Sequence, residues 1–119
     1  MKVILVIDDD KSIRETVKDV LEDEGYKVLT AESGANGIKI CKNNKVDIAI
    51  IDIWLPQMDG ITVLQEIKKI DRDIKSIVIS AHGSVQTAVE SLKLGAIDYL
   101  EKPLSLSNLI DAVKKAAEE

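Results

Sequence analysis

The sequence predicts an α/β fold: a single parallel sheet with helices on both faces. Three observations carry this. Short β-branched runs alternate five times with segments of helical period. The runs are apolar throughout, the mark of strands buried on both faces. No repeat, low-complexity stretch or linker interrupts the series of 119 residues, so one domain holds it all. Parallel strands need right-handed crossovers between them, and the intervening helices supply these.

Taken in order, Lys2 to Ile7 (KVILVI) is the first strand and ends in Asp8-Asp9-Asp10. Ile13, Val17, Val20 and Leu21 then share one helical stripe that stops at Gly25. Tyr26 to Ala31 is the second strand, and Ala35, Ile38 and Cys41 mark a short helix running into Asn43-Asn44. Val46 to Ile51 is the third strand, with Asp52 at its end. A loop from Ile53 to Gly60 follows, containing Pro56 and Asp59-Gly60. Val63, Leu64, Ile67 and Ile70 form the third helical stripe. Ile74 to Ser80 contains the fourth strand, and Val85, Ala88, Val89 and Leu92 the stripe of a fourth helix ending at Gly95. Ile97 to Glu101 is a short fifth strand ended by Pro103, and Leu106, Leu109, Ile110 and Val113 are the apolar face of a last helix.

Composition removes several functions. Hydrophobic residues at 45% and charged residues at 31% describe a folded chain able to bury roughly two thirds of its unfolded surface. No apolar run approaches the ~20 residues of a membrane span, and charge arrives too early for a signal peptide. One cysteine, Cys41, excludes an internal disulfide and multi-cysteine metal sites, and reads as core filling. The single histidine, His82, reads as a loop residue before the fourth helix rather than a proton carrier. A net charge of −5 argues against nucleic-acid binding by this domain. The expectation is a cytoplasmic, acidic domain.

Ligands of open α/β sheets bind beyond the carboxyl ends of the strands. Those ends deliver Asp8, Asp9, Asp52 and Ser80, and the fifth strand leads to Lys102. Carboxylates about 5 Å apart repel by about 3 kcal/mol at an effective dielectric of about 20. A hard cation such as Mg2+ relieves that repulsion. Lys102 and Ser80 suit phosphate oxygens. Together these groups describe phosphoryl transfer, with Asp52 the candidate nucleophile. Asp10 reads as the cap of the first helix.

VIDDD, IIDIWLPQMDG, ISAH and GAIDYLEKP, in this order and spacing, make the chain resemble the receiver domain of two-component response regulators over essentially all 119 residues. SAHGS with GAIDYLEKPLS is most similar to receivers of the NtrC class, which precede an ATPase domain in sigma-54-dependent activators. The resemblance implies a doubly wound (βα)5, CheY-like (flavodoxin-like) sheet of order 2-1-3-4-5. It implies that residues 1–119 are the N-terminal domain of a longer regulator. Asp52 then accepts phosphate from a histidine kinase. Asp9 binds Mg2+ directly, Asp8 acts through a water or shares the coordination, and Asp52 and the Trp54 carbonyl complete the protein ligands. Lys102, before a cis Pro103, contacts the phosphoryl group. Ser80 moves toward that group and Tyr99 turns inward behind it. This shift reaches the face of the fourth helix, fifth strand and fifth helix, where phosphorylation-sensitive homodimerisation is implied.

Ser80 stands where threonine is also usual, Leu104 where an aromatic is often found, and the bulk of Trp54 could shield the phosphate from water. A haloacid-dehalogenase-type phosphatase would need an acid at position 54. A flavin binder of this topology would need a Ser/Thr/Gly-rich loop where three aspartates stand. The expectation is a signalling switch, catalysing only its own phosphorylation and dephosphorylation.

Overall fold

Strand-length apolar runs become five strands, and each helical stripe becomes a helix between or after them. The computed structural model describes residues 1–81 and 85–118. In chain order the elements are β1 (Val3–Ile7), α1 (Lys11–Asp23), β2 (Lys27–Ala31), α2 (Gly34–Asn43), β3 (Ile48–Asp52), α3 (Gly60–Ile70), β4 (Lys75–Ser80), α4 (Val85–Lys93), β5 (Asp98–Glu101) and α5 (Leu106–Glu118). The strands pair in the order β2-β1-β3-β4-β5, all parallel, as the sequence led us to expect.

Strand periodicity divides the core into two layers. Leu5, Ile7, Ala49, Ile51 and Val78 pack with α2 and α3 on one face. Ile4, Val6, Ile48, Ile50, Ile77 and Ile79 pack with α1 and α5 on the other. Each fully buried Val, Leu or Ile among them contributes about 1.5–3 kcal/mol. Asp52 is the last residue of β3, paired with Ile79, at the strand end where the sequence puts it. Val46, expected in that strand, is buried without a ladder partner because pairing begins at Ile48. The Asp10 carboxylate accepts from the Ser12 and Ile13 amides and caps α1 as expected.

One helix face differs from the sequence reading, and a second apolar face is left uncovered. On α2 the buried face is Gly34, Gly37 and Cys41, while Ala35 is exposed. The glycines allow Val63 and Ile7 to approach the helix axis more closely than a Cβ permits. On α4 the expected stripe faces solvent: Val85 is 83% exposed, Val89 43% and Leu92 48%. The helix buries Ser91 instead, whose hydroxyl donates to the Thr87 carbonyl at 2.9 Å. An amphipathic stripe identifies a face without saying that this chain covers it.

The loop leaving β3 holds the acidic strand end in place. The Gly60 amide donates to the Ile53 carbonyl at 2.8 Å, and a methyl group at Gly60 would lie 2.5 Å from both the Asp52 carbonyl oxygen and Ile53 Cα. Gln57, at φ 69°, closes a three-residue turn in which the Met58 amide donates to the Pro56 carbonyl at 2.7 Å. Left-handed backbone costs a residue bearing a Cβ about 1 kcal/mol. Urea unfolding should therefore show opposite signs at these neighbouring positions. Gly60→Ala lowers stability by about 2–3 kcal/mol, and Gln57→Gly raises it by about 0.5–1 kcal/mol.

Candidate functional site

The carboxyl ends of β1, β3 and β4 and the turn after β5 converge on one rim. Asp8 and Asp52 are buried there, Asp9 is exposed, and one carboxylate oxygen from each lies within 4.8 Å of the others. Lys102 reaches in from the far side of the sheet. Its Nζ donates to Asp52 Oδ2 at 3.1 Å and lies 3.0 Å from Asp8 Oδ2. The Lys102–Pro103 peptide is cis. Lys102 is tied to β4 as well, its amide donating to the Ser80 carbonyl at 2.9 Å. Four of the expected site residues thus lie together in one cluster.

Backbone and side-chain donors fix the acids. Asp8 Oδ1 accepts from the Asp10 amide at 2.9 Å, and Asp52 Oδ1 accepts from the Trp54 amide at 3.0 Å. The Arg14 guanidinium donates to the Asp8 carbonyl at 2.8 Å, and the Trp54 indole donates to Ser80 Oγ at 2.9 Å. Both contacts escaped the sequence reading. Arg14 comes from the next turn of a helix, and its one sequence signal is a cation close after three aspartates. The sequence points to a role for the Trp54 carbonyl and bulk, and to none for its indole N–H.

Burial is the main influence on Asp8 and pushes its carboxyl up. The Asp10 amide and Lys102 oppose this, and the charge of Asp52 adds to it. Burial alone would lower Lys102, but Asp8 and then Asp52 outweigh it and raise the ammonium overall. Asp8 Oδ2 is buried, and its contact with Lys102 is a charge pair without hydrogen-bond alignment. Three convergent carboxylates, one of them with a poorly satisfied oxygen, form a donor set that fits a hard divalent cation.

The remaining candidates lie further out. Tyr99 packs against the α2–α3 side of the core with its hydroxyl buried and unpartnered, so its ring already occupies the inward position. Cys41 is buried in that layer, where burial and then the charge of Asp71 push its thiol up to about 11, as befits core filling. Leu104 packs against the α1–α5 layer. His82 lies outside the described residues. No helix among those described is long and apolar enough to cross a membrane.

Comparison with known proteins agrees with this geometry. Residues 4–114 match the family model described as response regulator receiver domain. A response regulator from Rickettsia typhi, described as NtrX-like, is 41% identical over 117 residues, covering 97% of this chain and 25% of the relative. The transcriptional regulatory protein ZraR of Escherichia coli K12 is 41% identical over 113 residues, covering 95% and 26%. The chain therefore spans about a quarter of the length of the curated relatives it matches. Among solved structures, the beryllofluoride-activated NtrC4 receiver domain dimer superposes with a TM-score of 0.94 at 39% identity, covering 99% of this chain and 98% of that one. A CheY-like receiver from Methanospirillum hungatei JF-1 gives 0.94 at 34% identity, covering 99% and 95%. The expected likeness to NtrC-class receivers is found in these relatives, and the chain belongs to the response regulator receiver domain family.

Proposed function

We propose that this chain is a phosphorylation switch whose acceptor is Asp52. The observation that carries the proposal is the position of Asp52: buried at the end of β3, bonded to Lys102 on one oxygen and beside Asp8 and Asp9. An Asp52 oxygen attacks the phosphorus of a kinase phosphohistidine. The O–P bond forms as the N–P bond breaks, the imidazole nitrogen keeps the electron pair, and an acyl phosphate results. Lys102 holds a phosphoryl oxygen, and Ser80 donates to another. Mg2+, held by Asp8, Asp9, Asp52 and the Trp54 carbonyl, would neutralise charge on the transferred group. Hydrolysis returns the carboxylate, so the domain acts on no separate substrate.

An open groove of about 310 Å³, lined by Ile13, Thr16, Val17, Lys102, Leu104 and Leu106, lies between α1 and the β5–α5 turn. A histidine kinase seated there stands beside Asp52. For the output, Val85, Val89 and Leu92 leave an apolar strip on α4, and a similar receiver is a dimer when activated. The α4–β5–α5 face is thus proposed as a homodimer surface that forms on phosphorylation. The domain would be the N-terminal, cytoplasmic part of a sigma-54-dependent activator, with DNA read by another domain.

Incubation with acetyl phosphate and Mg2+ should add one phosphoryl group to the intact mass. Asp52→Asn or omission of metal should abolish it. An adduct that survives in Asp52→Asn overturns the assignment.

Mg2+ should raise the melting temperature, and Asp9→Ala should remove most of that rise. Asp8 supplies a pH test in metal-free buffer. A carboxyl raised in the folded state destabilises when charged, so the cost is fully present above its raised folded value and disappears below the ordinary carboxylate range. Asp8→Asn should thus be at least as stable as wild type at pH 7, and its advantage should vanish near pH 3. A constant difference across pH would refute a titration origin.

In sedimentation, a phosphoryl mimic should shift monomer toward dimer, and Leu92→Asp should block the shift without blocking phosphorylation. An unchanged oligomer with and without the mimic would refute the dimer.

A further inference from the structure

Asp9 is the exposed member of the carboxylate cluster and the one least tied down. No hydrogen bond among the described residues restrains its side chain, whereas Asp8 and Asp52 each accept from a backbone amide and meet Lys102. Where the Asp9 carboxylate lies is therefore set by the backbone of residues 8–10. Arg14 holds that backbone at both ends. Its amide donates to the Asp10 carbonyl at 3.0 Å, and its guanidinium reaches back past Asp9 to donate to the Asp8 carbonyl at 2.8 Å. That carbonyl belongs to the planar peptide joining Asp8 to Asp9, so the guanidinium fixes the plane from which the Asp9 side chain departs. Arg14 is half-buried and forms no ion pair among the described residues, so the Asp8 carbonyl is what its side chain holds.

We propose that Arg14 is a positioning residue: it fixes the Asp8–Asp9 peptide so that the Asp9 carboxylate is held ready for Mg2+. The inference rests on the reading of Asp8, Asp9 and Asp52 as Mg2+ ligands. Without the guanidinium, water can satisfy the Asp8 carbonyl, but water does not hold the peptide in one orientation. Mg2+ demands near-octahedral geometry, whereas Ca2+ accepts a looser set of oxygens. A freed loop still presents Asp9, over a wider spread of positions, which weakens the strict ion more than the tolerant one. The charge of Arg14 acts the other way. A guanidinium near the site repels both cations, so its removal for charge alone strengthens both. Geometry and charge thus predict opposite signs.

The test titrates the whole chain with MgCl2 and with CaCl2, followed by the emission of Trp54, the chain's single tryptophan, and by melting temperature. Arg14→Met keeps an apolar stem on α1 and removes the donor. Its Mg2+ dissociation constant should rise about tenfold, the low end for losing a group that orients a metal ligand. Its Ca2+ constant should rise less than about twofold. In the metal-free variant the Asp9 amide should lose order by nitrogen relaxation NMR, and regain it when Mg2+ saturates the site. Arg14→Gln, polar but too short to reach the Asp8 carbonyl, carries the same expectations if Arg14→Met folds poorly. Unchanged or tighter Mg2+ binding by a folded variant overturns the proposal. So does an equal loss for both ions, or an Asp9 amide as ordered as in wild type. If wild type responds to neither ion, or Asp9→Ala binds Mg2+ equally well, the metal reading falls and takes the proposal with it.

Discussion

Everything at the functional rim depends on one ammonium held among buried carboxylates. Lys102 lies 3.0 Å from Asp8 and 3.1 Å from Asp52, and neither acid has much access to water. Removing charge from water is expensive, and a lone cation does not fully compensate two or three nearby anions. Burial raises Asp8 despite Lys102, which shows the balance still tilted against the ionised acid. The site is under-neutralised in the way a cation site should be: the positive charge it lacks is what a bound divalent cation would bring.

The sheet makes this arrangement possible. β1, β3 and β4 lie side by side in register, and apart from Ser76 their interior residues contribute apolar surface. With all strands parallel, every strand ends at the same edge, so Asp8, Asp52 and Ser80 meet although they are far apart in sequence. The cost of clustering charge is offset by the two apolar layers that flank it. The close approach of Gly60 to the Asp52 carbonyl fixes where the nucleophile's backbone lies. An apolar scaffold with one polar edge separates stability from function.

Residues whose role follows from their own strand or helix were legible. The β-branched runs, the Asp10 cap, the strand-end acids and the core position of Cys41 each follow from local pattern. What escaped depends on distance or on neighbours. The Trp54–Ser80 bond spans 26 residues and two strands, and no local periodicity encodes it. Arg14 reaches back six residues to a carbonyl, a group the sequence does not display. The buried face of α2 was misread because the glycines that allow close packing register as gaps in a hydrophobic stripe. The α4 stripe was legible as apolar, but whether anything covers it was not, since coverage belongs to the tertiary structure or to a partner.

That exposed stripe bears on how a signal would leave the site. Ser80 ends β4 and Val85 begins α4, so a rearranged Ser80 is only five residues from the helix with the weakest hold on the core. α4 fully buries one residue, Ser91, and turns three aliphatic side chains to solvent. An element with so little buried apolar surface lies at the low-stability end of its fold and moves for a small free energy. A switch between states that differ by a few kcal/mol needs such an element, because a few hydrogen bonds at a phosphoryl group supply no more than that. Moving a well-packed helix such as α3, with Val63, Leu64 and Ile67 fully buried, would exceed that supply. The exposed stripe on α4 is then no defect of packing. Burying it in the core would have gained stability and removed the surface it presents.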